Sequence, residues 1–307
     1  MDIIILLVGF SIGLVLLVKG ADEMVSSAVQ IALKFKLPSS IIGATFIGFG
    51  TSAPELFAST GAALKGDLDL GIGNIVGSNI ANSLLVVAVL YLALPKDFSQ
   101  KVKLNQISPV WMAILTTVFV STYVLTNEFP FLLGAVLLIL VIFVIYKMIS
   151  TESVDEGELL GEEKNYIWLR GGLSLLATLY GSQLVVDNAV AIAELFGVSS
   201  LIIGSTIIAI GTSLPEVAGT ISAAKMRKPD IVFGNIFGSN LFNIGLVGAT
   251  AIMISPGEIS SVIDYQLFIM YFVSFIVIFL SRNVIKRNSL LGYLFIVAYI
   301  LFLISLF

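Results

Sequence analysis

One stretch of forty residues occurs twice in this chain, and that duplication constrains the fold more than any other feature. Gly43 to Asn82 overlays Gly204 to Asn243 without a gap at a shift of 161, with 18 of the 40 positions identical. Both copies lie among apolar runs of about 20 residues, the length that crosses a bilayer as a helix. Ten such runs are expected, near 3–33, 40–64, 70–94, 107–125, 129–149, 166–194, 201–225, 230–255, 263–281 and 287–306. Equivalent points of the two copies are five runs apart. An odd number of crossings turns the second copy upside down relative to the first. The expected fold is therefore an all-α membrane protein with ten transmembrane helices in two inverted five-helix repeats, an architecture that places a binding site near the bilayer midplane.

Composition agrees. The chain of 307 residues is 58% hydrophobic and 12% charged, too apolar for a soluble domain of this size. Strand-type alternation is absent, which argues against a β-barrel. With no cysteine and no histidine, thiolate sites, disulfides, imidazole proton relays and histidine-ligated metals are excluded. The few basic residues are scattered, so nucleic-acid binding has no support. Met1-Asp2 offers no basic n-region, and the first run reads as a retained helix, not a cleaved signal. The first and sixth runs exceed what a bilayer needs and should tilt.

Domain organisation follows from the one sizeable polar segment. Residues 150–165, with Glu152, Asp155, Glu156, Glu158, Glu162 and Glu163, read as a solvated acidic linker between a first half at 1–149 and a second at 166–307. An N-terminus placed outside leaves only Lys65 in an outer loop and Lys19 within a span. Every other lysine and arginine then faces the cytoplasm, so the positive-inside rule puts both termini outside and the linker inside. The loop after the motif helix follows suit: Lys65-Gly66-Asp67-Leu68-Asp69 in one copy, Lys225-Met226-Arg227-Lys228-Pro229-Asp230 in the other.

The chemistry sits in Gly50-Thr51-Ser52-Ala53-Pro54-Glu55 and Gly211-Thr212-Ser213-Leu214-Pro215-Glu216. An ionisable residue at membrane depth costs about 2.5–3.5 kcal/mol on insertion scales and marks function. Pro54 lacks an N–H and clashes with the carbonyl four residues back, and Gly48 and Gly50 weaken the same turn. The helix should break there and free carbonyls near 48–51, which water, protein or a cation must satisfy. Thr51, Ser52 and Glu55 add oxygens; Ala209, Thr212, Ser213 and Glu216 repeat the arrangement. An all-oxygen set with two carboxylates suits hard cations such as Ca²⁺ and Na⁺, whereas zinc and copper prefer nitrogen or sulfur.

The second part of each copy, Gly73 to Asn82 and Gly234 to Asn243, adds Ser78 with Asn82 and Ser239 with Asn243, each pair four apart on one helix face. Asn82 and Asn243 can bond between helices or ligate a cation, and we favour the second. Asn74, Asn79, Asn235 and Asn240 are expected to brace neighbouring helices. Gly73, Gly77, Gly234 and Gly238 have the spacing of close helix approach. Glu55 and Glu216 read as cation ligands in preference to buried protonated glue between helices, because glue does not explain the duplication. Lys19, Asp22 and Glu23 in the first long span, and Asp187 in the sixth, are expected to form internal ion pairs or to face an aqueous path.

The two GTS-x-PE and GN-x-x-GSN blocks, with the ten-span plan, resemble the cation/Ca²⁺ exchanger superfamily, within its sodium/calcium exchanger branch, over essentially the whole chain. The resemblance makes the copies that family's α-repeats, at about 39–85 and 200–246. It implies Na⁺-driven Ca²⁺ exchange, without enzymatic activity or resident cofactor, at one pocket lined by Thr51, Ser52, Glu55, Ser78, Asn82, Thr212, Ser213, Glu216, Ser239 and Asn243, with carbonyls near Gly48 and Ala209 helping to hold Na⁺. It also implies that the first and sixth spans slide across the rest to switch access. Asn243 stands where some relatives, the K⁺-dependent branch included, carry aspartate, so K⁺ dependence is not expected. The absence of a large cytoplasmic domain argues against allosteric Ca²⁺ control. The expected partners are Ca²⁺, Na⁺ and the lipid bilayer, with no obligatory protein partner, in a prokaryotic plasma membrane. A Ca²⁺/H⁺ antiporter of the same fold is the nearest alternative. A Ca²⁺ channel and an intramembrane enzyme are more distant ones.

Overall fold

The computed structural model describes residues 3–101, 107–151, 166–198 and 209–306. The expected acidic linker, from 152 to 165, and residues 201–208 of the expected seventh span lie outside the described residues. Among the described residues seven helices are long and apolar enough to cross a membrane, and a pair bent by 44°, Ser39–Thr51 with Ala53–Leu64, makes an eighth when read as one span. The apolar helix Ser289–Ile304 is shorter.

The first half runs through α1 (Ile3–Phe35), α2 (Ser39–Ile42), a π-turn at Gly43–Ile47, α3 (Gly48–Thr51), α4 (Ala53–Leu64) and α5 (Leu68–Ala81). A second π-turn, Asn82–Val86, leads into α6 (Val87–Ala93), followed by β1 (Ser99–Lys101), α7 (Ile107–Thr126), β2 (Glu128–Phe129) and α8 (Phe131–Thr151). The second half repeats the plan in α9 (Ile167–Leu195), α10 (Ala209–Gly211), α11 (Leu214–Lys225), α12 (Pro229–Phe242), a π-turn at Asn243–Gly248 and α13 (Ala249–Ile254). It ends in β3 (Gly257–Glu258), α14 (Asp264–Ser281), β4 (Val284–Lys286) and α15 (Ser289–Ile304).

The short strands were not expected, and they count the crossings. Strand β1 pairs antiparallel with β4, Gln100 opposite Ile285; β2 pairs with β3, Phe129 opposite Gly257. Paired loops must lie on one side of the bilayer, so an even number of spans separates them. Ten alternating spans place six between β1 and β4 and four between β2 and β3. Were the segment holding α10 and α11 not a crossing, both counts would be odd. The ladders thus fix the parity even though part of that span lies outside the described residues. They also exchange under the repeat: adding 161 carries β1 next to β3, and β2 next to β4.

Helices α5 with α6 and α12 with α13 form the centre, with 78% and 83% of their spanning windows buried, against 22% for α1 and for α9. Burial therefore sorts the helices into an inner group that carries the repeated motifs and an outer pair. Helix α12 is buried on almost every face, which its glycines permit. A Cβ on Gly234 would stand 2.2 Å from the Ser40 carbonyl oxygen, and one on Gly238 2.2 Å from that of Ala44. Backbone is thus packed on backbone, the small-residue approach that drives association where lipid supplies no hydrophobic contrast. The equivalent neighbours of Gly73 and Gly77 would be residues 201 and 205, outside the described residues.

Helices α1 and α9 are about 50 Å and 44 Å long at 1.5 Å per residue, well beyond a bilayer core, so both must tilt. They pack along each other. The Gly181 Cα sits where any Cβ would meet Leu17 N at 2.4 Å, and Glu23 of α1 forms an ion pair with Arg170 of α9 at 3.2 Å. The expected internal ion pair of the first span is thus made with another helix, while Lys19 is exposed. Outside the spans, Arg227 donates to Asp97 at 2.7 Å and holds that carboxyl below the ordinary aspartate range. This contact contributes at neutral pH and is lost as pH falls through the lowered value; full exposure keeps it small.

Replacing Gly238 with alanine should therefore force α12 away from the Ala44 carbonyl. Overpacking of this kind costs about 1–3 kcal/mol, which should lower the thermal unfolding midpoint of the purified protein in detergent. An unchanged midpoint would mean that this helix contact has slack.

Candidate cation-binding site

The two breaks fall where the prolines require. Ser52 (φ −82°, ψ 0°) ends α3, and Ser213 (φ −92°, ψ 2°) precedes α11 with nearly the same backbone. Pro54 and Pro215 each occupy the first turn of the helix that follows, where a missing N–H costs nothing. Glu55 and Glu216 fall in those same first turns, so each carboxylate faces the positive end of a half-helix dipole. Both are buried, at 3% and 2% exposure. The Glu55 charge acts on Glu216.

The freed carbonyls differ from the expectation. The Gly211 carbonyl, which Pro215 cannot serve, accepts from the Ser182 hydroxyl of α9 at 3.1 Å. The Gly48 carbonyl keeps its helical bond from Ser52 N at 3.1 Å and lies 3.3 Å from Ser239 Oγ, whose single hydrogen is shared between this oxygen and Asn235 Oδ1. A cation at Gly48 would share that oxygen with both donors. Ala209 opens the described part of the second broken helix.

The copies interlock. Thr51 Oγ1 lies 3.1 Å from the Ile47 carbonyl and 3.5 Å from Ser239 Oγ, which donates toward Asn235 Oδ1 at 3.3 Å. Ser78 Oγ donates to Glu55 Oε1 at 3.4 Å. Both site asparagines open π-turns, the local widening often seen at functional sites. Asn82 Nδ2 donates to Asn240 Oδ1 at 3.1 Å, and Asn243 Nδ2 to Asn79 Oδ1 at 3.0 Å. Ser52, Ser78, Asn82, Ser213, Ser239 and Asn243 are all buried. Thr212 is half-buried and lines a cavity of about 390 Å³ with Pro54, Pro215, Ser182, Gln183 and Asp187. Asp187 is exposed and lines this cavity, and its carboxylate accepts from the Gln183 amide at 2.7 Å.

What remains unsatisfied is informative. Among the described residues, the buried oxygens without a hydrogen-bond partner include four at the motifs, Ser52 Oγ, Glu55 Oε2, Glu216 Oε2 and Asn243 Oδ1, beside others at Gln30, Thr60, Thr220 and Ser222. Orphaned buried acceptors cost about 1–3 kcal/mol each, more when charged. The four at the motifs are drawn from both copies, and two of them are carboxylate oxygens.

Sequence comparison agrees with this geometry. The family model described as sodium/calcium exchanger protein matches residues 5–151 and 166–307. The chain belongs to the sodium/calcium exchanger family. It is 39% identical to CaxA of Alkalimonas amylolytica, named as a candidate antiporter, over 81% of each chain. It is 31% identical to the sodium/calcium exchanger MaX1 of Methanosarcina acetivorans, over 96% of this chain and 97% of the relative. The solved structure of the sodium-calcium exchanger NCX_Mj, soaked with Na⁺ and Sr²⁺, superimposes with a TM-score of 0.84 at 29% identity and covers 100% of both chains. This exchanger is therefore a multi-pass membrane transporter of cations, not an enzyme.

Three features of the site lay beyond the sequence reading of this family member. Ser182 carries no motif and is recognisable only once α9 lies beside the Gly211 carbonyl. The π-turns leave no periodicity signal over five residues. The pairing of Asn79 with Asn243, and of Asn240 with Asn82, was visible only as two unassigned bracing amides.

Ligand linkage offers a direct check. Ca²⁺ at a hundredfold excess over its Kd should stabilise the purified exchanger by about 2.7 kcal/mol, read as a rise in unfolding midpoint. Glu55→Gln should abolish that rise. Equal Ca²⁺ protection of wild type and variant would remove Glu55 from the site.

Proposed function

We propose that this exchanger moves Na⁺ against Ca²⁺ by alternating access at one midplane pocket, with Glu55 and Glu216 as the charged ligands. The ligands completing the set are the hydroxyls of Thr51, Ser52, Ser78, Thr212, Ser213 and Ser239, the amide oxygens of Asn82 and Asn243, and the carbonyls near Gly48 and Ala209. The observation that carries this reading is the set of four orphaned buried oxygens, two of them carboxylate, shared between inverted copies. Two carboxylates balance one Ca²⁺ or two Na⁺. Bare, they are unfavourable in a low-dielectric interior, so a carrier without its ions resists the switch and exchange is favoured over leak. A shared pocket needs no further coupling device, because one ion displaces the other.

Supporting geometry comes from the cavity at Pro54 and Pro215, which runs along α9 past Gln183 and Asp187 to Glu194. That end of α9 faces outside if both termini do, as the charge of the loops suggests. The contact between Asp97 and Arg227 joins two loops that this orientation puts in the cytoplasm. NCX_Mj, whose structures are described in terms of extracellular ion exchange, lends support by analogy.

Radiolabelled Ca²⁺ uptake into proteoliposomes decides the ion pair. Uptake should follow an imposed Na⁺ gradient and ignore K⁺ and pH gradients of equal size; uptake driven by the pH gradient alone would make the protein a Ca²⁺/H⁺ antiporter. Glu55→Gln and Glu216→Gln should each abolish Na⁺-dependent flux, and near-normal flux in either would refute the assigned roles. Asn243→Asp adds a titratable ligand, so its flux should fall more steeply than wild type as pH drops.

A further inference from the structure

The amides that hold Asn82 and Asn243 form a contact written twice. Positions 79 and 240 are equivalent under the shift of 161, and so are 82 and 243. Asn82 Nδ2 donates to Asn240 Oδ1 at 3.1 Å, and Asn243 Nδ2 donates to Asn79 Oδ1 at 3.0 Å. Each bond crosses between the inverted halves. All four side chains are buried, none more than 3% exposed.

A carboxamide is indifferent in shape to a half-turn about its Cβ–Cγ bond, but not in chemistry. One end accepts and can ligate a cation; the other carries two donors and repels it. Which end faces the pocket depends on what holds the other. Asn79 Nδ2 lies 3.4 Å from the Asn240 backbone carbonyl and 3.7 Å from Met270 Sδ. A backbone carbonyl only accepts, so the Asn79 NH₂ must face it. The Asn79 oxygen then faces Asn243, which must donate. That leaves Asn243 Oδ1 as the end without a partner among the described residues. On the other side, Asn240 Nδ2 donates to Ser83 Oγ at 3.2 Å, and its oxygen accepts from Asn82 in the same sense.

We propose that Asn79 and Asn240 are positioning residues, each fixing the carboxamide of the pocket asparagine in the opposite half so that the pocket sees oxygen and no N–H. This rests on the reading that Asn82 and Asn243 line the cation pocket. Without the clamp, the NH₂ groups would turn toward Glu55 and Glu216 whenever the pocket is bare, since carboxylates are the strongest acceptors near them. The carrier would then present donors to an arriving ion. With it, the ligand geometry survives each empty interval of the transport cycle.

The test compares Asn79→Leu, of similar volume but unable to accept, with Asn79→Asp, which keeps an oxygen facing Asn243. Both are measured by Na⁺-gradient-driven Ca²⁺ uptake in proteoliposomes, alongside Asn82→Ala and Asn243→Ala. Loss of a group that orients a metal ligand typically weakens affinity about 10–100-fold. Asn79→Leu should therefore raise the Ca²⁺ KM by that factor, with a smaller change in maximal rate, and Asn79→Asp should restore most of it. The decisive reading is crossed coupling. Asn79→Leu should add little in an Asn243→Ala background but multiply with Asn82→Ala; Asn240→Leu should do the reverse. A structural role would couple to both equally, and equal coupling overturns the proposal, as does an unchanged KM in monodisperse Asn79→Leu. Should that variant not be recovered folded, Asn79→Ser, which keeps an oxygen but shortens its reach, carries the same cycle. If Asn82→Ala and Asn243→Ala themselves leave the Ca²⁺ KM unchanged, the reading of the pocket falls and the proposal with it. If they raise it and Asn79→Leu does not, the proposal alone falls.

Discussion

Two carboxylates are buried at the breaks of the repeated helices in this protein, and the surrounding structure is organised to make that tolerable. Glu55 and Glu216 sit below 4% exposure and act on one another. Charges of like sign in a low dielectric repel strongly and lose hydration besides. The partial remedies are visible. Each sits in the first turn of a half-helix, where the dipole favours negative charge. Ser78 donates to Glu55. These contacts stop short of satisfying both oxygens of either group, and that shortfall is what the proposed cation would fill.

The same need explains why the helices break where they do. A continuous helix would direct no dipole terminus at the midplane. A proline in the first turn starts a new helix there at no hydrogen-bonding cost, provided the carbonyl it abandons finds another donor. In the second half that donor is Ser182, reaching in from α9. The outer pair of helices is therefore tied to the site through backbone chemistry as well as through packing.

Much of this was legible in the sequence because duplication is a strong signal. An uninterrupted shift of 161 between two proline–glutamate breaks implies inversion, and inversion implies a shared pocket. Serine and asparagine four apart put their oxygens on one face without further information. The rest was illegible for identifiable reasons. A π-turn such as Asn82–Val86 adds one residue to a turn without changing the apolar pattern around it. The ladder between Ser99–Lys101 and Val284–Lys286 joins polar loops nearly two hundred residues apart. Asn79 and Asn240 could be assigned to bracing but not to partners, since pairing across the halves depends on how α5 meets α12.

The departures from symmetry carry information of their own. Under alternating access, exchanging the conformations of two inverted halves exchanges inside for outside. An exact duplication would therefore hold both states at equal energy. Here the contacts differ. Asn74 donates to Ser59 at 2.9 Å, while its equivalent Asn235 accepts from Ser239 at 3.3 Å. Ser182 serves the Gly211 carbonyl, while the position equivalent to Ser182 under the shift of 161 is Ala21, which has no hydroxyl to offer. Single hydrogen bonds are worth about 0.5–1.5 kcal/mol, and a few of them suffice to move a two-state equilibrium severalfold. Under that scheme the repeat would place the ions, and the small differences between its copies would set which side of the membrane the site faces at rest.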